Sequence, residues 1–123
     1  ATARVHCRPG GVALFVPDDV RETFVPGTGH GGSDGPDGRG VRYLDWSTDP
    51  DPADERIRVD YVFLLREADG RHRVLHETHE NGLFAEATWL GLLRAAGFEP
   101  TVHLEVTDEA RTPRRAFVGH LPA

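Results

Sequence analysis

Hydrophobic positions follow two periods along this chain. Between Glu86 and Ala96 they recur at helical spacing: Trp89, Leu90, Leu92, Leu93 and Ala96 share one broad face, and Glu86, Thr88, Gly91 and Arg94 lie away from it. Gly97 stands where a left-handed C-terminal cap needs a residue without a Cβ, and Phe98 begins an extended run. At the other end Ala85 cannot cap, so the usual Ser, Thr, Asp or Asn is missing. From Arg56 to Arg66 the period is two, with Ile57, Val59, Tyr61, Phe63 and Leu65 on one side of a strand. Val12-Ala13-Leu14-Phe15-Val16 is apolar without alternation, which predicts a strand buried on both faces, as in a parallel α/β sheet.

Turn residues divide the chain between these elements. Residues 1–24 hold the buried strand, ended by Pro17, and a short helical turn through Phe24 that Asp18 caps, with Asp19 and Glu22 near its positive end. Residues 25–40 are rich in Gly, Pro and Asp and read as a long loop. Gly27-Thr28-Gly29-His30-Gly31-Gly32 formally matches GxGxxG. A dinucleotide loop must follow a strand and open a helix; here no helical pattern follows, and Asp34 and Asp37 would repel a phosphate. Residues 41–81 supply antiparallel strands: Val41–Thr48, Arg56–Arg66, and a return strand from Arg71 to about Glu80 across Ala68-Asp69-Gly70-Arg71. Asp69-Gly70 suits a two-residue type I′ turn. Residues 82–123 hold the helix and two closing strands, Phe98–Thr107 and Arg115–Leu121, around a turn at Asp108–Pro113.

The order predicts an α/β fold with a three-layer, mixed sheet and an inserted antiparallel β-sheet, all within one partial domain, 1–123. One long helix cannot cover both faces of a doubly buried strand, so the sheet reads as half of a larger one.

With 38% hydrophobic and 28% charged residues the composition is that of a globular protein. A net charge of -6 argues against nonspecific nucleic-acid binding. No apolar run reaches the roughly 20 residues of a membrane span. Cys7 is the single cysteine, which excludes an internal disulfide or thiolate zinc cluster. A cytoplasmic location is the simplest expectation. All fourteen basic residues are arginine, a bias that GC-rich coding explains.

Arg8–Phe15, Leu83–Phe98 and Arg115–Gly119, in that order and spacing, together resemble class I S-adenosylmethionine-dependent methyltransferases. Arg8-Pro9-Gly10-Gly11-Val12-Ala13-Leu14-Phe15 is similar to the entry to the family's fifth strand. Leu83-Phe84 through Trp89-Leu90, Leu92-Leu93 and Ala95-Ala96-Gly97-Phe98 resembles its last helix and the start of its sixth strand. Arg115-Ala116-Phe117-Val118-Gly119 resembles the seventh, antiparallel strand. Order and spacing fit over nearly the whole chain. The strands between Val41 and Glu80 depart from the minimal family core and resemble the insertion of small-molecule, amino-sugar type N-methyltransferases, where it roofs the substrate pocket. The resemblance therefore implies a C-terminal half of a Rossmann-like methyltransferase sheet. It also implies a small-molecule substrate and S-adenosylmethionine as cofactor of the intact parent. The family's glycine-rich loop and ribose-binding acid have no equivalent here, so the isolated chain is expected to be inactive and to bind the cofactor poorly. Its open edge at Val12–Val16 predicts a homodimer, with strand swapping as one route. The alternative is a noncatalytic ligand-binding or dimerisation module built on the same half-fold.

Methyl transfer to an amine requires an oriented, unprotonated nitrogen, with a base to collect the proton. Counting outward from a two-residue turn, Phe63 faces His76, Tyr61 faces Thr78 and Asp60 faces His79. Asp60 and His79 are then the candidate catalytic pair, the carboxylate fixing the imidazole tautomer. Tyr43, Asp45, Trp46 and His76 on the inserted strands, and His30 in the glycine-rich segment, are candidate substrate contacts. His72 and His76 share a face that His79 does not, so no metal site is expected.

Overall fold

The computed structural model describes residues 2–108 and 112–123. In chain order the elements are α1 (Thr2–His6), β1 (Val12–Phe15), β2 (Gly27–Asp34), β3 (Gly40–Thr48), β4 (Arg56–Arg66), β5 (His72–Gly82), α2 (Glu86–Ala95), β6 (Glu99–Leu104) and β7 (Arg115–His120). They form two compact units, Ala1–Phe24 with Leu83–Ala123, and Val25–Gly82. Each unit carries its own antiparallel sheet, so the architecture is mixed α/β with antiparallel sheets.

The first unit has strand order β1-β7-β6. Its core gathers Val20, Leu93, Phe98, Phe117 and Leu121, with Ala13, Phe15, Trp89, Leu90 and Ala96 packed against it. Phe117, on the central strand, is fully buried and lies under Trp89, the rings stacked at 5.3 Å. α2 begins at Glu86 and ends as its pattern predicts. Gly97 has φ +87°, its N–H donates to Arg94 O, and the Phe98 N–H reaches back to Leu93 O at 3.0 Å. These two bonds close a Schellman cap. Leu92 departs from the predicted apolar face and is exposed. α1 carries no periodic signal in five residues and was not predicted from sequence.

β1 and the turn after it differ from the sequence pattern. β1 is not buried on both faces: Ala13 and Phe15 pack on the core, whereas Val12 and Leu14 are 53% and 63% exposed. Among the described residues its only partner is β7, so it is an edge strand with a core on one side. Nor does Asp18 cap a helix. Residues 20–24 form one hydrogen-bonded turn, with Thr23 N and Phe24 N donating to Val20 O, while Asp18 accepts from Arg114 at 2.9 Å. Glu22, within that turn, explains the missing cap of α2: both its carboxylate oxygens accept from the Glu86 N–H, at 3.1 and 3.2 Å. An acidic group from a distant segment thus occupies the positive end of the helix.

The second unit is a four-stranded sheet in order β2-β3-β4-β5. β4 spans the predicted Arg56–Arg66. The predicted glycine-rich loop is instead largely a strand, β2, because its glycines leave room for the side chains of β3. A Cβ on Gly31 would fall 2.6 Å from the Tyr43 hydroxyl, and one on Gly29 would fall 2.5 Å from Asp45 Oδ1. The β4–β5 hairpin also differs from the sequence pattern. Glu67 N donates to Arg71 O and Gly70 N to Glu67 O, Gly70 alone of the turn residues has positive φ, and Arg66 pairs with His72. The loop is therefore three residues with glycine in the left-handed position, because Asp69 does not take the positive φ that a type I′ turn demands of both central residues. The added loop residue shifts β5 by one place.

Replacing Glu22 with Ala leaves the first N–H of α2 without its carboxylate and is expected to lower stability by about 1 kcal/mol. Thermal or urea unfolding monitored by near-ultraviolet circular dichroism, which follows Trp89, checks this. Glu22→Gln should recover part of the loss.

Candidate functional site

Register decides which side chains of the second unit meet, since successive residues of a strand point to opposite faces. Pairing of Tyr61 with Asp45 and Glu77, of Phe63 with Tyr43 and Leu75, and of Val59 with Ser47 and His79 collects one face. Pairing of Asp60 with Trp46 and Thr78, and of Val62 with Leu44 and His76, collects the other. The seven predicted site residues are thus divided. Tyr43, Asp45 and His79 fall on the first face; His30, Trp46, Asp60 and His76 fall on the second. The predicted Asp60–His79 pair does not form, because the three-residue hairpin loop places Thr78 opposite Asp60 and turns His79 away from it.

On the first face an aromatic ladder crosses the strands. Tyr61 stacks on Phe63 with centroids 5.5 Å apart, Phe63 leans on Tyr43 at 6.2 Å, and the His79 ring tilts against Tyr61 at 5.2 Å. His79 Nε2 lies 3.1 Å from Glu77 Oε2. These two residues are separated by one position on β5 and so share a face, an i,i+2 relation that the sequence spacing itself contains. Both side chains are about half exposed, at 49% and 51%. The arrangement can do three things. The rings can cover the ring of a small molecule, Asp45 and Glu77 can attract an amine, and the carboxylate can hold the imidazole in orientation to accept a proton.

On the second face Asp60 is the centre of a polar network. Arg58 donates to both its oxygens at 3.0 Å, Thr78 Oγ1 donates at 2.5 Å, and His76 Nε2 stands 3.6 Å away. The hydrogen bonds from Arg58 and Thr78 hold the Asp60 carboxyl below the usual carboxylate range. Leu44, Trp46, Val62 and His76 line, with Asp60 and Arg58, an open concavity of about 370 Å³. His30 stands exposed on β2 opposite Leu44. His72 and His76 share this face and His79 does not, as strand alternation predicts. Among the described residues no three His, Cys, Asp or Glu side chains gather as metal ligands.

The described residues do not fit S-adenosylmethionine as its principal binding site. The GxGxxG run lies within β2, and no described strand leads through a glycine-rich loop into a helix. The N-terminus of α2, where a ligand carboxylate would otherwise bind, already faces Glu22. No helix among the described residues is long and apolar enough to cross a membrane.

No protein-family model matches the sequence, nor does any curated protein. Solved structures do match. The sugar N-methyltransferase KedS8 from Streptoalloteichus is 28% identical with a TM-score of 0.74, over 98% of this chain and 46% of that one. DesVI from Streptomyces venezuelae is 26% identical with a TM-score of 0.78, over 98% and 48%. CalS10 from Micromonospora echinaspora, an amino pentose methyltransferase solved with S-adenosylmethionine bound, shares the fold with a TM-score of 0.71 at 24% identity, over 95% and 46%. The chain spans about half the length of the structures it matches. Its structural neighbours are sugar N-methyltransferases and S-adenosylmethionine-dependent methyltransferases, consistent with the C-terminal half of an amino-sugar type methyltransferase.

The Asp60 network carries a pH dependence of known sign. A depressed carboxyl stabilises the fold in its charged form, so its contribution is present above the ordinary value of 3.8 and is lost as pH falls through the lower folded value. The melting temperature of the native chain should therefore fall more between about pH 6 and about pH 2.5 than that of Asp60→Asn, which lacks this titrating carboxyl. Equal falls would show that the network adds nothing to stability.

Proposed function

We propose that these residues are the substrate-covering, sheet-closing half of an S-adenosylmethionine-dependent small-molecule N-methyltransferase. In this reading β1-β7-β6 is one side of a three-layer Rossmann-like sheet, and the second unit is the insertion that roofs the acceptor. The observation that supports it most is the fit of nearly the whole chain, both units in one alignment, onto a sugar N-methyltransferase at 28% identity. The principal cofactor site belongs to a half of the protein outside these residues, and the isolated chain is expected to be inactive.

The chain's own contribution is positioning and proton handling. Tyr43 and Tyr61 cover the acceptor ring, and Asp45 lies beside them to attract its amine. His79, oriented by Glu77, takes up the proton that the nitrogen loses. Proximity and orientation carry most of the acceleration, since an amine needs no activation beyond loss of its proton. The base adds a factor of about 10²–10⁴. Glu77 thus replaces Asp60 as the carboxylate partner of His79, and Trp46, Asp60 and His76 stand outside the acceptor site.

In the protein that joins these residues to a cofactor-binding half, His79→Gln should lower kcat for an amino pentose by about 10²-fold with little change in KM. Tyr61→Ala should instead raise KM. Transfer of isotopically labelled methyl groups measures both, and full kcat in His79→Gln would remove the histidine from the mechanism. In the chain alone, titration with an amino pentose followed by NMR should shift Tyr61 and His79 while leaving the Trp46 indole in place. Shifts confined to Trp46 would move the acceptor to the opposite face.

A further inference from the structure

On the face that carries the aromatic ladder, strand β2 is bare. Gly27, Gly29 and Gly31 lie on that face and Thr28 and His30 on the other, so the glycines recur with period two. Backbone geometry does not require them. Positive φ occurs at Gly10, Gly38, Gly70 and Gly97, and at none of these three. Glycine weakens a strand interior, and where it persists it often marks a close approach. Two of the three positions have one. Gly31 lies opposite Tyr43, and an ideal Cβ on it would stand 2.6 Å from the Tyr43 hydroxyl and 2.7 Å from ring carbons Cε1 and Cζ. Gly29 lies opposite Asp45, and its Cβ would stand 2.5 Å from Oδ1 and 3.1 Å from Cγ. Gly27 is uncrowded: beyond its chain neighbours, the nearest atom to its Cβ would be the Val25 carbonyl oxygen at 3.9 Å.

We infer that Gly29 and Gly31 are positioning residues of the acceptor site. Their missing Cβ atoms let Asp45 and Tyr43 lie down across β2, which sets the height of the acceptor ring and the place of its amine. The inference rests on the acceptor reading given above. Carbon atoms in contact stand about 3.5–4.0 Å apart, so Gly31→Ala must lift the Tyr43 ring by about 1 Å. Tyr43 leans on Phe63, and Phe63 stacks on Tyr61, so the lifted ring moves against the ladder that covers the acceptor. A misplacement of about 1 Å is enough to disturb how a bound ring sits. An aromatic ring laid over an edge glycine also shields the backbone, a purely structural gain. That gain does not account for Asp45. Its carboxylate is half-buried and has neither a hydrogen-bond donor nor a cation among the described residues. Held over Gly29, its charge is left for the acceptor's amine, whereas Gly29→Ala pushes it off β2 towards Tyr61, its partner on β4. The GxGxxG run thus has a use other than binding phosphate.

NMR of the chain alone should show the Gly31 α-protons shifted upfield by the Tyr43 ring, a shift that Tyr43→Leu removes. Gly31→Ala should move the Tyr43 ring resonances, and Gly27→Ala should leave them in place. In the protein that joins these residues to a cofactor-binding half, Gly31→Ala should raise KM for an amino pentose about tenfold and keep kcat within about twofold, because the ring it displaces holds ground state and transition state alike. Gly29→Ala should raise KM likewise and serves should Gly31→Ala unfold, with far-ultraviolet circular dichroism as the check on folding. Gly31→Ala should add nothing in a Tyr43→Ala background, nor Gly29→Ala in an Asp45→Ala background, whereas a general loosening of the sheet would add in both. Unmoved Tyr43 resonances in Gly31→Ala, or an equal rise in KM from Gly27→Ala, would overturn the proposal. So would an unchanged KM in Gly31→Ala and Gly29→Ala beside a raised one in Tyr43→Ala, a result that leaves the acceptor site standing. Unchanged KM in both Tyr43→Ala and Asp45→Ala would instead remove the acceptor site, and the positioning role with it.

Discussion

The conformation of one glycine governs the second unit. Gly70 adopts φ +84°, closes a three-residue loop after Ala68 and Asp69, and thereby fixes which residues of β4 and β5 stand opposite each other. Because strand side chains alternate, a shift of one residue would exchange the two faces of β5. His79 would move to the side of Asp60, and His76 and Thr78 would leave it. The aromatic ladder would lose its histidine, and the opposite face would lose Val74. The chemistry proposed for one face and the Asp60 network of the other thus rest on the same turn.

The first unit depends on a different constraint, the packing of α2 over the central strand β7. Trp89 lies on Phe117, and the Schellman cap at Gly97 turns the chain so that Phe98 enters the same core. At the other end of α2 the cap comes from Glu22, sixty-four positions earlier. These contacts tie the turn after β1 to the helix before β6. Ala13 and Phe15 of β1 face this core, and Val12 and Leu14 stay exposed, as expected of a sheet edge that a further layer of structure would cover.

Much of this was legible in the sequence where one local signal had no competitor. The alternation of Ile57, Val59, Tyr61, Phe63 and Leu65 gave β4 at its observed ends, and Gly97 marked the helix end. Composition predicts a loop in the glycine-rich segment because it cannot separate a flexible loop from a strand kept bare for its neighbours. Gly29 and Gly31 are small because Asp45 and Tyr43 lie across them, a tertiary fact. Asp69-Gly70 signalled a hairpin correctly but not its loop length, and that single residue separated Asp60 from His79. The Glu22 cap was invisible because its partner is distant in sequence. Glu77 and His79 could have been paired from spacing alone, since two residues on a strand share a face.

The pairing of β4 with β5 divides the two faces, and inter-strand nuclear Overhauser effects in the labelled chain read it. The structure predicts contacts of the His79 ring with Tyr61 and of its backbone with Val59, together with contacts between Asp60 and Thr78. Contacts of His79 with Asp60, accompanied by Phe63 with His76, would instead report a two-residue turn and would contradict the division of the two faces.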